Sequence, residues 1–224
     1  MLLQINKKIL IYIFFFILFA TLNNNNFEKF KFSEINEVKI YGLNEDENYK
    51  LKKKLNSILS MNLFFLNKIE VKKYLDTIDI IDNYTILKKY PSSLEIRINK
   101  TTFLANVYKD EKIFLLGSNR KLIKTNKPKK ELPNIFGKFD KNSFFKLLSD
   151  INDSQFKEIK IKNLFFFKSG RWDIETNSSV LIKLPKNNSK DILDLSFRLL
   201  EKKKSKEIRV LDLRQNNQII INAK

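Results

Sequence analysis

The chain has 224 residues, with 43 Lys and Arg against 25 Asp and Glu for a formal net charge of +18, and it contains neither histidine nor cysteine. That composition excludes Ser-His-Asp and Cys-His catalysis, ordinary zinc sites and any disulfide framework. Its glycines, at positions 42, 117, 137 and 170, are spaced too widely for a phosphate-cradling loop, and its scattered lysines read as solvated faces, not as a nucleic-acid stripe.

Residues 9–22 are an apolar run interrupted only by Tyr12 and Thr21, preceded by Lys7 and Lys8 and followed by Asn23 to Asn26. A bilayer core needs roughly 20 apolar residues, so the run alone has the length of a signal-peptide core. Counting back to Leu2, with Lys7 and Lys8 snorkelling to the headgroups, gives enough reach to span. No small-residue cleavage pattern follows cleanly at Ala20. The expectation is a cytoplasmic tail over residues 1–8, an uncleaved anchor over 9–22, and export of everything beyond it by the positive-inside rule. Residues 23–33 form a tether carrying Phe27, Phe30 and Phe32.

From residue 34 the periodicity describes one module ending near residue 100. Val38 and Ile40 alternate with polar neighbours as a half-buried strand does, and Gly42 permits a turn. Asn44 with Glu47 offers a capping box, after which Leu51, Leu55, Ile58 and Leu59 make a helical stripe. Asn67 with Glu70 repeats the signal, and Val71, Leu75 and Ile78 give a second helix its face. Tyr84 and Ile86 start a hairpin that turns at Pro91 and returns through Leu94, Ile96 and Ile98. The order is β-α-α-β-β, with both helices expected on one face of a three-stranded sheet.

Residues 101–224 read as a second, mixed α/β domain with an extended antiparallel sheet. Strands over 103–108 and 112–116 and a third from Leu122 make a meander, and the polar run 125–130 is a loop leading into LPNIFG at 132–137. A helix presents Phe144, Leu147, Leu148 and Ile151. Strands follow over 158–167, 171–176 and 180–184, the first two joined at Ser169-Gly170. Ser189 caps a helix with the stripe Ile192, Leu195 and Leu199, and strands over 208–213 and 218–221 end the chain. Trp172, the one tryptophan, is core packing or an interface anchor.

The module with YGL, NLFFLN and KKYPSSLEIRI in these positions resembles a POTRA domain. With LPNIFG, RWDIE, VLIKLP and IRVLDLR following in that order, the whole arrangement resembles the FtsQ/DivIB-type bacterial cell-division proteins. The resemblance implies an α+β protein made of a transmembrane helix, a POTRA-like domain over 34–100 and an FtsQ-type C-terminal domain over 101–224. It implies a bitopic scaffold of the divisome in the cell inner membrane, with its C-terminal part periplasmic and enriched at the septum. No enzymatic activity, cofactor, metal or small-molecule substrate is expected, nor nucleic acid. Expected partners are other membrane divisome proteins, including a small coiled-coil partner of the FtsB/FtsL type. A tethered single-POTRA chaperone or secretion component is the alternative.

In that family the last strands bind the coiled-coil partner, which here points to the edge over residues 210–221, with Leu213, Arg214, Gln215, Asn217 and Ile219 as its partner-binding residues. A terminal strand with unpaired backbone groups can accept a partner strand by β-augmentation. Leu213 is expected to anchor an apolar side chain. Arg214 either reaches a partner carboxylate in two-pronged geometry or pairs internally with Asp212 or Glu175. Gln215 departs from the family pattern, in which an aromatic residue often follows Asp-Leu-Arg.

Overall fold

The computed structural model describes residues 7–22, 34–187, 189–202, 208–215 and 218–223. The chain divides into two compact units, Met1–Lys100 and Thr101–Lys224.

The first unit begins with helix α1, Lys7–Leu22, whose 16 residues carry exposed apolar side chains from Ile9 to Phe19. At ~1.5 Å per residue it is about 24 Å long. Among the described residues no helix is long and apolar enough to cross a membrane. Strand β1 (Glu37–Tyr41) leads through Gly42 into α2 (Glu45–Leu55), a 3-10 turn (Asn56–Ile58) and α3 (Lys68–Asp76), and the chain returns through β2 (Ile81–Lys89) and β3 (Ser93–Lys100). The sheet order is β1-β3-β2, with β1 parallel and β2 antiparallel to the central β3.

Local chemistry explains the starts of α2 and α3. The Asn44 side chain accepts from Glu47 N while Glu47 reaches back to Asn44 N, a complete capping box. At α3 the Asn67 side chain accepts instead from Ile69 N, and the helix stops at Asp76, so Ile78 packs from beyond its end. Leu51, Leu55, Val71 and Leu75 from the helices meet Val38, Ile40, Leu94, Ile96 and Ile98 from the sheet in one core. The other face of β3 carries Glu95 and Arg97, paired at 2.6 Å.

The second unit is built on a nine-stranded sheet. Its strands are β4 (Phe103–Lys109), β5 (Lys112–Gly117), β6 (Leu122–Thr125), β7 (Asn134–Phe136), β8 (Ile161–Phe166), β9 (Trp172–Thr176), β10 (Leu181–Lys183), β11 (Ile208–Asp212) and β12 (Ile220–Ala223). They lie in the order β12-β11-β10-β9-β8-β7-β4-β5-β6. The sheet is mixed, which corrects the antiparallel expectation: β7 runs parallel to both β4 and β8, and β10 parallel to β11. Each reversal follows a crossover, from β6 by the 126–133 loop, from β7 through helix α4 (Lys141–Asn152), and from β10 through helix α5 (Lys190–Lys202).

Both helices sit over the same core, where Phe144, Leu147 and Ile151 of α4 and Leu193 and Leu200 of α5 pack with Val107, Ile135, Leu164, Ile174, Ile182 and Leu211 of the strands. The buried stripe of α5 is Leu193, Ser196 and Leu200, one position from the expected Ile192, Leu195 and Leu199. Ser196 is fully buried because its hydroxyl donates to Ile192 O at 2.8 Å, so a polar residue stands where the periodicity asks for an apolar one. The strand expected from residue 158 starts instead at Ile161, because residues 155–158 form a 3-10 turn capped by Ser154, with Phe156 driven into the core.

Candidate partner-binding edge

The last strands fold as they do because Leu211 and Leu213 alternate toward the helices, and a register irregularity between Ile208 and Val210 brings Ile208 into the same core. Leu213 is 6% exposed and its N–H donates to Lys183 O at 2.9 Å, so its side chain is taken up by the core and its backbone by β10. Strand β11 has a neighbour on each side, and the sheet's free rim at this end is β12, the opposite edge being β6. That rim presents Ile219 and Ile220, exposed at 43% and 42%, while Ile221 packs inward. Gln215 is exposed beside it, and Asn217 lies outside the described residues. Because Leu213 N–H points to β10, strand alternation turns Val210 and Asp212 toward β12, whose register partners are Asn222 and Ile220. The same alternation leaves the backbone of Ile221 facing outward, able to bond an added strand.

Arg214 is paired internally. Its Nε donates to Asp212 Oδ1 and Oδ2 at 2.8 and 3.0 Å, a terminal nitrogen donates to Oδ2 at 2.6 Å, and its backbone N–H donates to Oδ1 at 3.1 Å. Glu175, the other expected partner, is taken by Lys162 and Asn163. The Arg214 hydrogen bonds, with Lys183 adding to the field, hold the Asp212 carboxyl below the usual carboxylate range. A lowered folded-state value means that the pair stabilises above the unfolded-state value of about 3.9 and stops doing so as the pH falls through the folded one. The stability gap between the native chain and Asp212→Asn, read as urea midpoint, is therefore expected at pH 7 and to close below pH 4. A gap that stays constant across that range would show the pair to be energetically idle.

Asp212 belongs to a row of charge. Register places it beside Lys183, and Lys183 beside Asp173, whose Oδ1 accepts from Arg171 Nε at 3.3 Å. The order along the face is Arg171, Asp173, Lys183, Asp212, Arg214. Asp173 is 3% exposed, and burial pushes its carboxyl up against the opposing pull of Arg171, Lys183 and Arg214. The row continues as rings, Phe165 stacking on Phe136 and Phe136 on Tyr108 at 5.4 and 5.3 Å. A second row runs parallel to it: Asn106 donates to Asn134, Asn134 to Asn163, and Asn163 to Glu175, at 3.1, 3.0 and 2.8 Å. Both rows cross β7, which has only three residues of ladder, so the side chains of Asn134 and Phe136 hold it in place.

Neither row was visible in the sequence, because each residue comes from a different strand and only register brings them together. Ile220 was also missed as a rim residue. Its signal is the unbroken Ile219, Ile220, Ile221 run, which does not alternate as a one-faced strand should. Trp172 is a core residue, 2% exposed. Among the described residues no cluster of three or more metal-ligating side chains occurs.

No family model matches the chain, and no curated protein matches it. Among solved structures it is similar to the major extracytoplasmic domain, in its trans isomer, of the bacterial cell division protein DivIB from Geobacillus stearothermophilus. The identity is 13% and the TM-score 0.35, over 48% of this chain and 97% of that one.

Proposed function

We propose that the chain is a bitopic membrane scaffold of the bacterial divisome, anchored by the apolar segment of α1 and joining other membrane division proteins through extracytoplasmic contacts. The observation that supports this most is where the signature segments fall. LPNIFG supplies β7, RWDIE supplies β9, VLIKLP supplies β10 and IRVLDLR supplies β11, all in one sheet that ends on the open rim of β12. Segments far apart in sequence thus build a single surface leading to an edge suited to a partner strand. In this reading the first unit is the POTRA-like domain that shares in recruitment, the small coiled-coil protein adds a strand at β12, and the protein catalyses nothing.

Depletion in the native host tests the reading. Long unseptated filaments with segregated nucleoids are expected, relieved by the native gene. Normal division with altered envelope protein content would instead favour a membrane-tethered chaperone or secretion component. The rim has its own test: Ile219→Lys with Ile220→Lys removes two exposed apolar side chains, so far-UV dichroism and thermal midpoint should stay native while rescue of division is lost. Full rescue by that double variant would remove β12 as the partner edge.

A further inference from the structure

The first unit breaks the rule of buried apolar residues at one end, and it does so with a well-pinned backbone. Between α2 and α3 the segment MNLFFLN buries Leu63 and Leu66 and leaves Phe64 and Phe65 at 59% and 80% exposure, with Met61 and Ile69 exposed beside them. Their display is built in. Asn62 Oδ1 accepts from Phe64 N at 2.9 Å, Asn62 O accepts from Leu66 N at 3.0 Å, and Lys88 Nζ donates to Phe64 O at 3.0 Å. The two rings brace each other edge to face at 5.3 Å. A fixed loop that projects two phenylalanines into solvent has an apolar destination outside its own core.

Three segments meet there. Ile35 N donates to Met61 O at 3.0 Å and Glu34 bridges Asn62, which places the entry of the chain beside the loop. Asn36 N donates to Ser92 O at 2.9 Å, which adds the β2–β3 hairpin with exposed Tyr90 at its tip. Residues 23–33 separate this end from the apolar α1 and reach at most ~40 Å when fully extended. The charges in and next to these segments include Lys68, Lys72, Lys88 and Lys89 against Glu34, Glu37 and Glu70. Protruding Phe and Tyr flanked by lysines, tied closely to an apolar helix, match the boundary of an anionic bilayer, where aromatic rings partition and ammonium groups meet phosphate. A protruding knob suits a deformable lipid surface better than it suits a partner's preformed groove.

We infer that this end of the first unit docks on an anionic membrane surface, with Phe64 and Phe65 entering the boundary between headgroups and acyl chains. The inference rests on the reading of α1 as an anchor. Docking holds the module close against the bilayer and limits its directions, so that the tether does not leave it free to tumble.

The absence of cysteine makes a clean test available, because one introduced cysteine carries one label. The full chain, labelled with an environment-sensitive fluorophore at Ser60→Cys or, separately, Phe16→Cys, is reconstituted into phosphatidylcholine–phosphatidylglycerol vesicles containing a lipid-borne quencher, shallow for position 60 and deep in the acyl chains for position 16. Both labels should be quenched. Phe64→Ser with Phe65→Ser should reduce quenching at position 60 several-fold, leave it unchanged at position 16, and preserve the far-UV spectrum, since both rings are exposed. An aqueous label at 60 beside a quenched label at 16 overturns the docking and leaves the anchor standing. Quenching at 60 that is indifferent to the double serine also overturns it. An aqueous label at 16 overturns the anchor, and the docking with it.

Discussion

Replacing Trp172 with Ala should cost the second unit about 3–5 kcal/mol, the range for deleting a buried large aromatic side chain. The indole is enclosed by Phe166 at 4.8 Å, Phe139 at 5.9 Å and Phe144 at 6.2 Å between ring centroids, and its Nε1 donates to Ser143 Oγ at 2.8 Å. Ser143 stands in the first turn of α4, where Asp140 caps the helix by accepting from Ser143 N. Trp172 on β9 therefore fixes where α4 begins over the sheet, and truncating it both opens a cavity and frees that helix end. Trp172→Phe keeps a ring in place and loses chiefly the hydrogen bond, so its cost should be nearer ~1 kcal/mol. Because this is the one tryptophan, unfolding in urea must be followed by far-UV dichroism and not by intrinsic fluorescence. Equal losses for the two substitutions would show that the hydrogen bond, not the packing, carries the contribution.

The first unit was legible in the sequence because its information is local. The Asn44 cap, the 3.6-residue stripe through Leu51 and Leu55 and the two-residue alternation of Leu94, Ile96 and Ile98 each lie within one element, and the structure uses all of them. In the second unit the decisive features are non-local. Asn134, Ile135 and Phe136 carry no strand-length pattern, yet they form the strand that joins the two halves of the sheet, because Asn106, Asn163, Tyr108 and Phe165 wait on either side of it.

The candidate site shows the same division. Reading both Leu213 and Arg214 as partner-facing overlooks the pleat, for strand alternation sends Leu213 inward and leaves Asp212 and Arg214 on the helix-free face, near enough to pair. With Leu213 committed to the core, the apolar side chains offered at the rim are Ile219 and Ile220. Whether a strand is internal or terminal depends on where β12 lies, and that depends on a register no single segment encodes.

Gly42→Ala should unfold the first unit more readily by at least ~3 kcal/mol, a large part of the marginal stability of a small domain. Two penalties combine at this position. Its φ of +95° lies where a side chain costs about 1 kcal/mol or more, and a β-carbon would fall 1.8 Å from Ile98 O and 2.9 Å from Ile98 C. The obstacle is backbone in β3, already fixed by β1 on one side and β2 on the other, so it has no way to yield. Gly170 separates the two penalties. It has a similar φ of +82°, but a β-carbon there meets only the flexible side chain of Lys186, nearest at 3.2 Å. Gly170→Ala should therefore cost about 1 kcal/mol, the conformational part alone. Peptide-resolved hydrogen exchange reads both variants in one experiment. For Gly42→Ala, protection should fall across β1, β3, α2 and α3 while the core strands of the second unit keep theirs, because the two cores share no buried residue. Similar losses for the two alanines would mean that backbone conformation, not the approach of β1 to Ile98, is what requires glycine at residue 42.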